Sequence, residues 1–402
     1  MKPLLGIRIV DFTQAHAGSL ATMLLADFGA EVIKIERAGV GDLARYWEPM
    51  IGDDSGYYAY LNRNKKSVAI NAQEKEGKEI ILNLIKNADV VCENFKFGSM
   101  EKMGFDYESI KKINPEVIYA SLSGFGKTGE MKNANGLDIN LQAMSGIMDR
   151  TGFPDKTPTR VGVALGDHLS GMYMATAVNL AIINKMNTGK GQKIDIAILD
   201  SLFSVLEEAQ ITYELTGKSL SRSGNRYLSL APYDTLKAID GYVTIAVTNE
   251  KQWRLFCDTF NLNEMYNNEH YKTNELRIKN YEQKLKPELE KTFASLSKHE
   301  IEKKLNEAGI SSSAVKSVDE AINNEQIKDR DSIKEVNDKK LGKVMFPGIA
   351  IHMSETPGSI ENTAPLMGED TVYYLKMIGY TDDEVLALKD SGIIETNEVS
   401  KL

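Results

Sequence analysis

The chain has 402 residues, with 57 acidic against 48 basic side chains and a formal net charge of −9. Hydrophobic residues make up 42% of it, enough for a large core, and the length predicts two domains. The acidic balance argues against a nucleic-acid-binding protein, although local basic patches stay open. The two cysteines, Cys92 and Cys257, lack disulfide or metal-site spacing, so we expect a cytoplasmic protein without a metal. No apolar run is long enough for a membrane span, and no signal-peptide pattern is present.

The first 125 residues alternate between strand and helix patterns. The expected strands and helices are 7–12, 18–28, 31–36, 68–71, 74–86, 88–92 and 117–122. Such alternation predicts a doubly wound α/β domain with a parallel sheet, in which ligands bind beyond the carboxyl ends of the strands. The first strand–helix turn lacks GxGxxG, so a dinucleotide site is not expected.

The segment from Arg160 to Ala181 predicts a long helix that is apolar nearly all round and therefore buried. Asp167 lies where this helix should begin. It can be an N-cap, since aspartate accepts the free amides of a first turn well. It can also be a carboxylate at the mouth of a cleft, with Gly166 and Gly171 letting a ligand approach. A carboxylate in that position can act as a covalent nucleophile on an acyl group.

The rest of the chain predicts a second, smaller and more charged domain. A glycine turn feeds a strand over 189–200, and one helix is expected over 201–215. A boundary falls near residue 225, before a hairpin around Asp240 and Gly241. Charged helices then run to about residue 308, short strands return over 333–351, and 370–389 is expected to be helical.

Several polar residues lie in the loops of the first domain. His16 follows the first strand, where it is either a solvated side chain or a ligand contact. Arg37 follows the second strand, where its planar fork suits a phosphate. The cluster NRNKK, with Arg63, Lys65 and Lys66, is either a solvated face or an anion site.

Three further features leave two interpretations each. Asn94 and Phe95 form either a plain turn or a site for adenine or pantetheine. The glycines of SGFGKTG, from Gly124 to Gly129, either give the loop flexibility or admit a substrate. Asp138 and Asp200 are acidic candidates that the pattern favours as helix caps. No HExxH, GxSxG, Walker A or metal-ligand cluster is present.

Taken together, several stretches resemble the class III CoA-transferases of the CaiB/BaiF type, the family of formyl-CoA transferase, carnitine CoA-transferase and α-methylacyl-CoA racemase. The matching stretches are 4–37, NRNKKSVAIN, 88–126, RVGVALGDHLSGMY and TGKGQKIDIAILDS, with a looser match at APLMGEDTVYYLKMIGY. The resemblance covers residues 4 to 250 well and is specific in its combination and order.

The resemblance implies an α/β fold that composition does not show: a Rossmann-like large domain, a smaller α+β domain and a homodimer whose chains pass through each other as interlocked rings. We expect residues 1–224 to form the first part of the CoA-binding large domain and 225–330 the small domain. Residues 331–402 should return to the large domain. The active site should lie between the large domain of one subunit and the small domain of the other.

The resemblance also implies a mechanism and its residues. Asp167 matches the nucleophilic aspartate of the GD motif, which passes through a mixed anhydride and an aspartyl-CoA thioester. His16 matches a glutamine of the catalytic pocket in formyl-CoA transferase. The expected contacts to CoA, a substrate and not a tightly bound cofactor, are Ala15, Arg37, Ile70, Asn94, Phe95 and Lys102.

Two departures from the family bear on the reaction. Leu137 stands where the racemase branch has the histidine of GHDIN, and leucine cannot exchange a proton at Cα. The run of four glycines of formyl-CoA transferase is missing, which disfavours oxalate as acceptor. We therefore predict CoA transfer from an acyl-CoA to a carboxylic acid. The alternatives are an acyl-CoA racemase or epimerase and a non-catalytic CoA-binding protein.

Overall fold

A computed structural model of the chain describes residues 1–397. Its contacts divide the chain into two compact units. Of the described residues, unit 1 contains 1–147, 160–210 and 328–397, and unit 2 contains 148–159 and 211–327. The domain boundaries at residues 225 and 331 stay predictions.

The strands carry the framework of both units. In chain order they are β1 (Arg8–Asp11), β2 (Glu31–Glu36), β3 (Met50–Ile51), β4 (Asp54–Ser55), β5 (Lys66–Ile70), β6 (Val90–Glu93), β7 (Ile118–Ser123), β8 (Lys193–Ala197), β9 (Tyr233–Ala238), β10 (Gly241–Ala246), β11 (Ser311–Ala314), β12 (Ile333–Asp338), β13 (Gly342–Pro347) and β14 (Ile394–Glu395).

The helices follow the same order. They are α1 (Ala17–Asp27), α2 (Gly56–Leu61), α3 (Lys75–Lys86), α4 (Ser99–Met103), α5 (Tyr107–Ile113), α6 (Asp138–Met144), α7 (Ile147–Arg150), α8 (Leu165–Thr188), α9 (Ile198–Phe203), α10 (Glu208–Thr216), α11 (Glu250–Thr259), α12 (Asn263–Tyr266), α13 (Asn274–Lys279), α14 (Lys286–Phe293), α15 (Lys298–Glu307), α16 (Val318–Ile322), α17 (Glu325–Asp329), α18 (Thr371–Met377) and α19 (Asp382–Asp390), with a 3₁₀ turn at Leu43–Tyr46 and a π turn at Tyr281–Leu285. In the described part of the chain, none of these helices combines the length and apolar character that crossing a bilayer requires.

Unit 1 is built on a seven-stranded sheet in the order β14-β5-β2-β1-β6-β7-β8. All neighbours are parallel except β14, which pairs antiparallel with β5. The strands of the first 125 residues alternate with helices because parallel neighbours need crossover connections. The mixed α/β fold with a mainly parallel sheet is therefore confirmed.

Apolar side chains pack on both faces of this sheet. One cluster joins β1, β6 and β7 to α1 and α8. The other joins β2 and β5 to α3 and to α18, near the carboxyl end of the chain. The inner strands are rich in buried apolar side chains because helices cover both of their faces, although Asp11 of β1 and Lys34 of β2 are buried as well.

Unit 2 has its own small antiparallel sheet, in the order β11-β10-β9. A turn at Ile239 and Asp240 joins β9 to β10, which begins at Gly241, so the predicted hairpin is confirmed. A separate apolar core packs this sheet against charged helices, with Trp253, Phe256 and Phe293 among its buried side chains.

Helix α8 differs from the expectation of a fully buried helix. Met174 and Val178 are buried, whereas Leu180, Ile183 and Met186 are 63%, 55% and 79% exposed. The sequence pattern shows that a face is apolar but not what covers it, and in a single chain one face of α8 faces solvent.

The two glycines of α8 serve helix packing and not ligand access. A Cβ on Gly171 would lie 2.6 Å from the carbonyl oxygen of Ala17, and one on Gly166 would lie 2.7 Å from Ile198. Both glycines thus allow α1 and α9 to approach α8 closely, and the expectation of open space beside them is wrong.

The single helix expected over 201–215 is also wrong. The structure forms α9 and α10 instead, separated by a short break in which Glu207 has a φ of +50°. A left-handed residue interrupts a helix because it turns the carbonyl out of the hydrogen-bond ladder.

Candidate active site

A cleft of about 530 Å³ opens at the carboxyl ends of β1, β6 and β7. It is lined by the loops that follow these strands and by the segment that precedes α6, including Gln14, Ala15, Asn94, Phe95, Ser123, Gly124, Gly136 and Leu137. This is the edge of a parallel sheet at which α/β proteins bind ligands. Gly124 and Gly136 have their Cα atoms so close that a Cβ on either would contact the other.

Asp167 lies in the first turn of α8, three residues after the N-cap Ala164, and caps nothing itself. The cap comes from Asp138, whose Oδ1 accepts from the backbone N–H of Gly166 at 2.8 Å. The N-cap reading of Asp167 is therefore wrong, and Asp138 caps a neighbouring helix rather than its own. Asp200, in the first turn of α9, is not a side-chain cap either.

The environment of the Asp167 carboxyl is unusual for a surface aspartate. It is half-buried, and no described residue donates a hydrogen bond to it. Burial, with the nearby charge of Asp138, raises the pKa of Asp167 to about 6. At neutral pH the group is ionised but poorly stabilised.

His16 lies beside this turn. Its ring meets the rings of Tyr57 and His168 edge to face, at centroid distances of 5.7 and 5.8 Å. Its Nδ1 is hydrogen-bonded to the Tyr57 hydroxyl, and its buried Nε2 has no partner among the described residues. Burial and His168 lower the pKa of His16 to about 4, so the ring is neutral at pH 7.

Asn94 uses its whole amide to hold the loop after β1. Its Oδ1 accepts from the backbone N–H of Gln14 and its Nδ2 donates to the Gln14 carbonyl, both at 2.8 Å. The neighbouring Phe95 lines the cleft, and its carbonyl accepts from Lys127. Ala15 lines the same cleft.

The other predicted CoA contacts lie apart from this group. Arg37 and Lys102 are exposed and form no ion pair among the described residues. Ile70 is 1% exposed in the apolar cluster of β2 and β5. The fold thus brings Ala15, Asn94 and Phe95 together at the cleft, His16 and Asp167 together at the first turn of α8, and does not bring Ile70 to either place.

The basic cluster NRNKK is neither a solvated face nor an anion site. Arg63 is buried and paired with Asp27 at 2.7 Å, and Lys65 is buried against Asp11 at 3.3 Å. Of the three cations only Lys66 is partly exposed, and it pairs with Asp370. The sequence could not show that acidic partners from other elements would bury these cations.

Sequence reasoning missed Tyr57, His168 and Asp42 as neighbours of the site. Tyr57 contacts His16, and burial together with Asp167 raises its pKa to about 12. Asp42 accepts from the backbone N–H of Ala15 at 3.0 Å. His168 adjoins Asp167 in the sequence and could have been noticed. Tyr57 and Asp42 lie in segments without a motif.

A mainly parallel α/β fold with a cleft at the carboxyl ends of its strands defines an α/β protein whose ligand site lies at that edge of the sheet. The sequence model of the family described as CoA-transferase family III matches residues 4–371. The chain belongs to this family, as the resemblance implied.

Curated relatives and solved structures agree with this assignment. The chain is 36% identical to the succinyl-CoA:glutarate CoA-transferase of Mus musculus, over 99% of this chain and 92% of that protein. It is 36% identical to the acetyl-CoA:oxalate CoA-transferase of Acetobacter aceti, over 89% and 92%. A CaiB/BaiF family protein from Brucella suis superposes with a TM-score of 0.87 at 34% identity, over 94% and 99%. The chain is a class III CoA-transferase that moves CoA from an acyl-CoA substrate to a carboxylic acid.

Proposed function

We propose that Asp167 is the covalent nucleophile of the transfer. The observation that carries this proposal is the environment of the Asp167 carboxylate. The group is half-buried, its pKa is about 6, and no described residue donates a hydrogen bond to it or forms an ion pair with it. A carboxylate without partners keeps its lone pairs available, whereas one paired with a cation would be stabilised in the ground state. At pH 7 roughly nine-tenths of it is ionised, given that pKa.

The proposed reaction proceeds in four steps. An oxygen of Asp167 attacks the thioester carbonyl and expels CoA thiolate, which leaves an acyl–aspartyl anhydride. The thiolate attacks the aspartyl carbonyl, forms the aspartyl-CoA thioester and releases the donor acid. The acceptor carboxylate then attacks that thioester, expels CoA thiolate and leaves an acceptor–aspartyl anhydride. The thiolate finally attacks the acceptor carbonyl of this anhydride, which gives the new acyl-CoA and frees the carboxylate of Asp167. Each step exchanges one acyl bond for another, which is what covalent catalysis offers.

Each tetrahedral intermediate carries negative charge that needs nearby donors. His16 precedes α1 and His168 lies in the first turn of α8, and their rings are in contact. This contact supports the proposal that the intermediates form where the amino ends of the two helices meet. Free backbone N–H groups of a helix start favour an anion there. His16 is proposed to line this site as a neutral side chain.

We propose an acyl-CoA and a dicarboxylic acid as substrates, with succinyl-CoA and glutarate as the first pair to assay. The name of the mouse relative supports this choice. The exposed cations Arg37 and Lys102 suit the phosphates of CoA, and Ala15 and Phe95 line a cleft for its pantetheine arm. Contacts of CoA with Asn94 and Ile70 stay predictions. The geometry favours them less than the others, because the amide of Asn94 is already hydrogen-bonded to Gln14 and Ile70 is buried.

We further propose that the chain acts as an interlocked homodimer in the cytoplasm. The exposed apolar face of α8 supports a partner that covers it, because monomers rarely leave such a face in water. The two unpaired, buried cysteines agree with a reducing compartment.

The test is a trapping experiment on the intact protein. Wild-type protein and Asp167→Asn are incubated with succinyl-CoA, treated with hydroxylamine and examined by mass spectrometry. We expect a hydroxamate that maps to Asp167 in the wild type and no adduct in the variant, whose amide is a poor nucleophile.

Asp138→Asn serves as the control, because it changes a neighbouring carboxylate without removing the proposed nucleophile. Turnover of Asp167→Asn at the wild-type rate would refute the assignment. Exchange of deuterium at Cα of a branched acyl-CoA without any adduct would favour a racemase, and CoA binding without either signal would favour a binding protein.

A further inference from the structure

The loop between β1 and α1 contains a strained residue directly before His16. Ala15 has a φ of +62°, a left-handed conformation that residues with a Cβ adopt rarely. Such a conformation persists only where the surroundings hold it, and it is commonest where function needs it.

Asp42 and Lys34 hold the backbone that leads into this strained residue. The Oδ1 of Asp42 accepts from the backbone N–H of Ala15 at 3.0 Å, and its Oδ2 pairs with Lys34 Nζ at 2.6 Å. The same Nζ donates to the carbonyl of Thr13 at 2.7 Å. The pair therefore bridges the carbonyl before Gln14 and the amide after it, while Asn94 holds Gln14 itself.

This ion pair is fully buried, with side-chain exposures of 1% for Lys34 and 0% for Asp42. Burying two charges requires their desolvation, so a buried pair is weak evidence for stability alone. Its contacts with the loop give it a more specific role. Lys34 lies in β2, the neighbour of β1, and Asp42 precedes the 3₁₀ turn, so both come from the rigid framework of unit 1.

We propose that Asp42, oriented by Lys34, is a positioning residue of the transfer reaction, which holds Ala15 in its left-handed conformation and so fixes the ring of His16 at the first turn of α8. The inference rests on the proposed site at Asp167. When Asp42 no longer holds the amide, Ala15 relaxes to an ordinary φ and His16 leaves its contacts with Tyr57 and His168.

The experiment compares Asp42→Asn with the double variant Asp42→Asn/Ala15→Gly, assayed with succinyl-CoA and glutarate. We expect Asp42→Asn to lower kcat about tenfold, the effect of losing one charge-assisted contact. Glycine adopts a positive φ without steric cost. The double variant should therefore regain most of the lost kcat. Because Ala15 also lines the cleft, Ala15→Gly alone is the reference for any separate effect of the glycine on CoA binding.

Hydrogen–deuterium exchange of the peptide over residues 13–20 gives a second measurement that needs no substrate. Exchange should be faster in Asp42→Asn and return toward wild type in the double variant. The control is Asp27→Asn, which breaks the buried pair with Arg63 at the other end of α1. It should lower the melting temperature but leave kcat and the loop exchange unchanged.

Wild-type kcat in folded Asp42→Asn, or a double variant no more active than Asp42→Asn, would overturn the proposal. If Asp42→Asn fails to fold, Ala15→Val and Ala15→Gly test the same conformation without touching buried charges, since valine strongly disfavours a positive φ. Equal activity of these two would refute it. An active Asp167→Asn would instead refute the proposed nucleophile, so the two failures are distinguishable.

Discussion

The proposed chemistry and its pH dependence both depend on the carboxyl group of Asp167. Its pKa is raised from 3.8 to about 6, chiefly by burial. We expect the single-turnover rate of adduct formation to fall about tenfold per pH unit below pH 6, because only the carboxylate attacks. The pKa of His16 is about 4, below the range in which the rate should fall, so His16 should add no second titration to the profile. Stopped-flow measurement between pH 4.5 and 8 checks it, and a flat profile would contradict the raised pKa.

The same shift has a consequence for stability. A carboxyl whose folded pKa is raised contributes stability at low pH, and that contribution is lost as the pH rises through about 6. Asp167→Asn mimics the protonated form, so its gain in melting temperature over wild type should be larger at pH 8 than at pH 4. An equal difference at both pH values would show that folding does not perturb the group.

At the scale of elements, the packing of α1 against α8 depends on Gly171. A Cβ there would lie 2.6 Å from the Ala17 carbonyl, which is backbone and cannot rotate away. We expect Gly171→Ala to destabilise unit 1 by about 1–3 kcal/mol, the usual cost of overpacking, although alanine is the better helix former. Thermal unfolding followed by circular dichroism measures this, with Gly162→Ala as control, since nothing lies within 4 Å of a Cβ at Gly162. A melting temperature equal to wild type would show that the helices can separate freely.

How far the sequence predicts an element depends on what determines the element locally. Strand β2 was predicted with its observed bounds because an apolar, β-branched run between a glycine and a loop is a local pattern. The break after α9 was not, because a left-handed Glu207 has no sequence marker. The cap of α8 was also missed, since Asp138 reaches it from another helix.

At the scale of the whole molecule, the sequence predicts how many charged and apolar residues the chain has, but not which of them the fold buries. Lys65 and Arg63 are buried because acidic side chains from distant segments pair with them, and only the folded chain brings those partners together. The exposed face of α8 is the converse case. Its residues have the pattern of a core helix, and a single chain does not cover them.

The proposed interlocked dimer makes a prediction that an ordinary dimer does not. Two closed rings cannot separate while both chains stay folded, so subunits should not exchange under native conditions. Tagged and untagged protein, mixed for days and analysed by native mass spectrometry, should give no mixed dimer. The same mixture should give mixed dimers after unfolding in guanidinium and refolding, which shows that the tag permits pairing. Mixed dimers formed in native buffer would mean that the chains only lie side by side. A monomer at micromolar concentration would mean that the apolar face of α8 has no partner of its own kind.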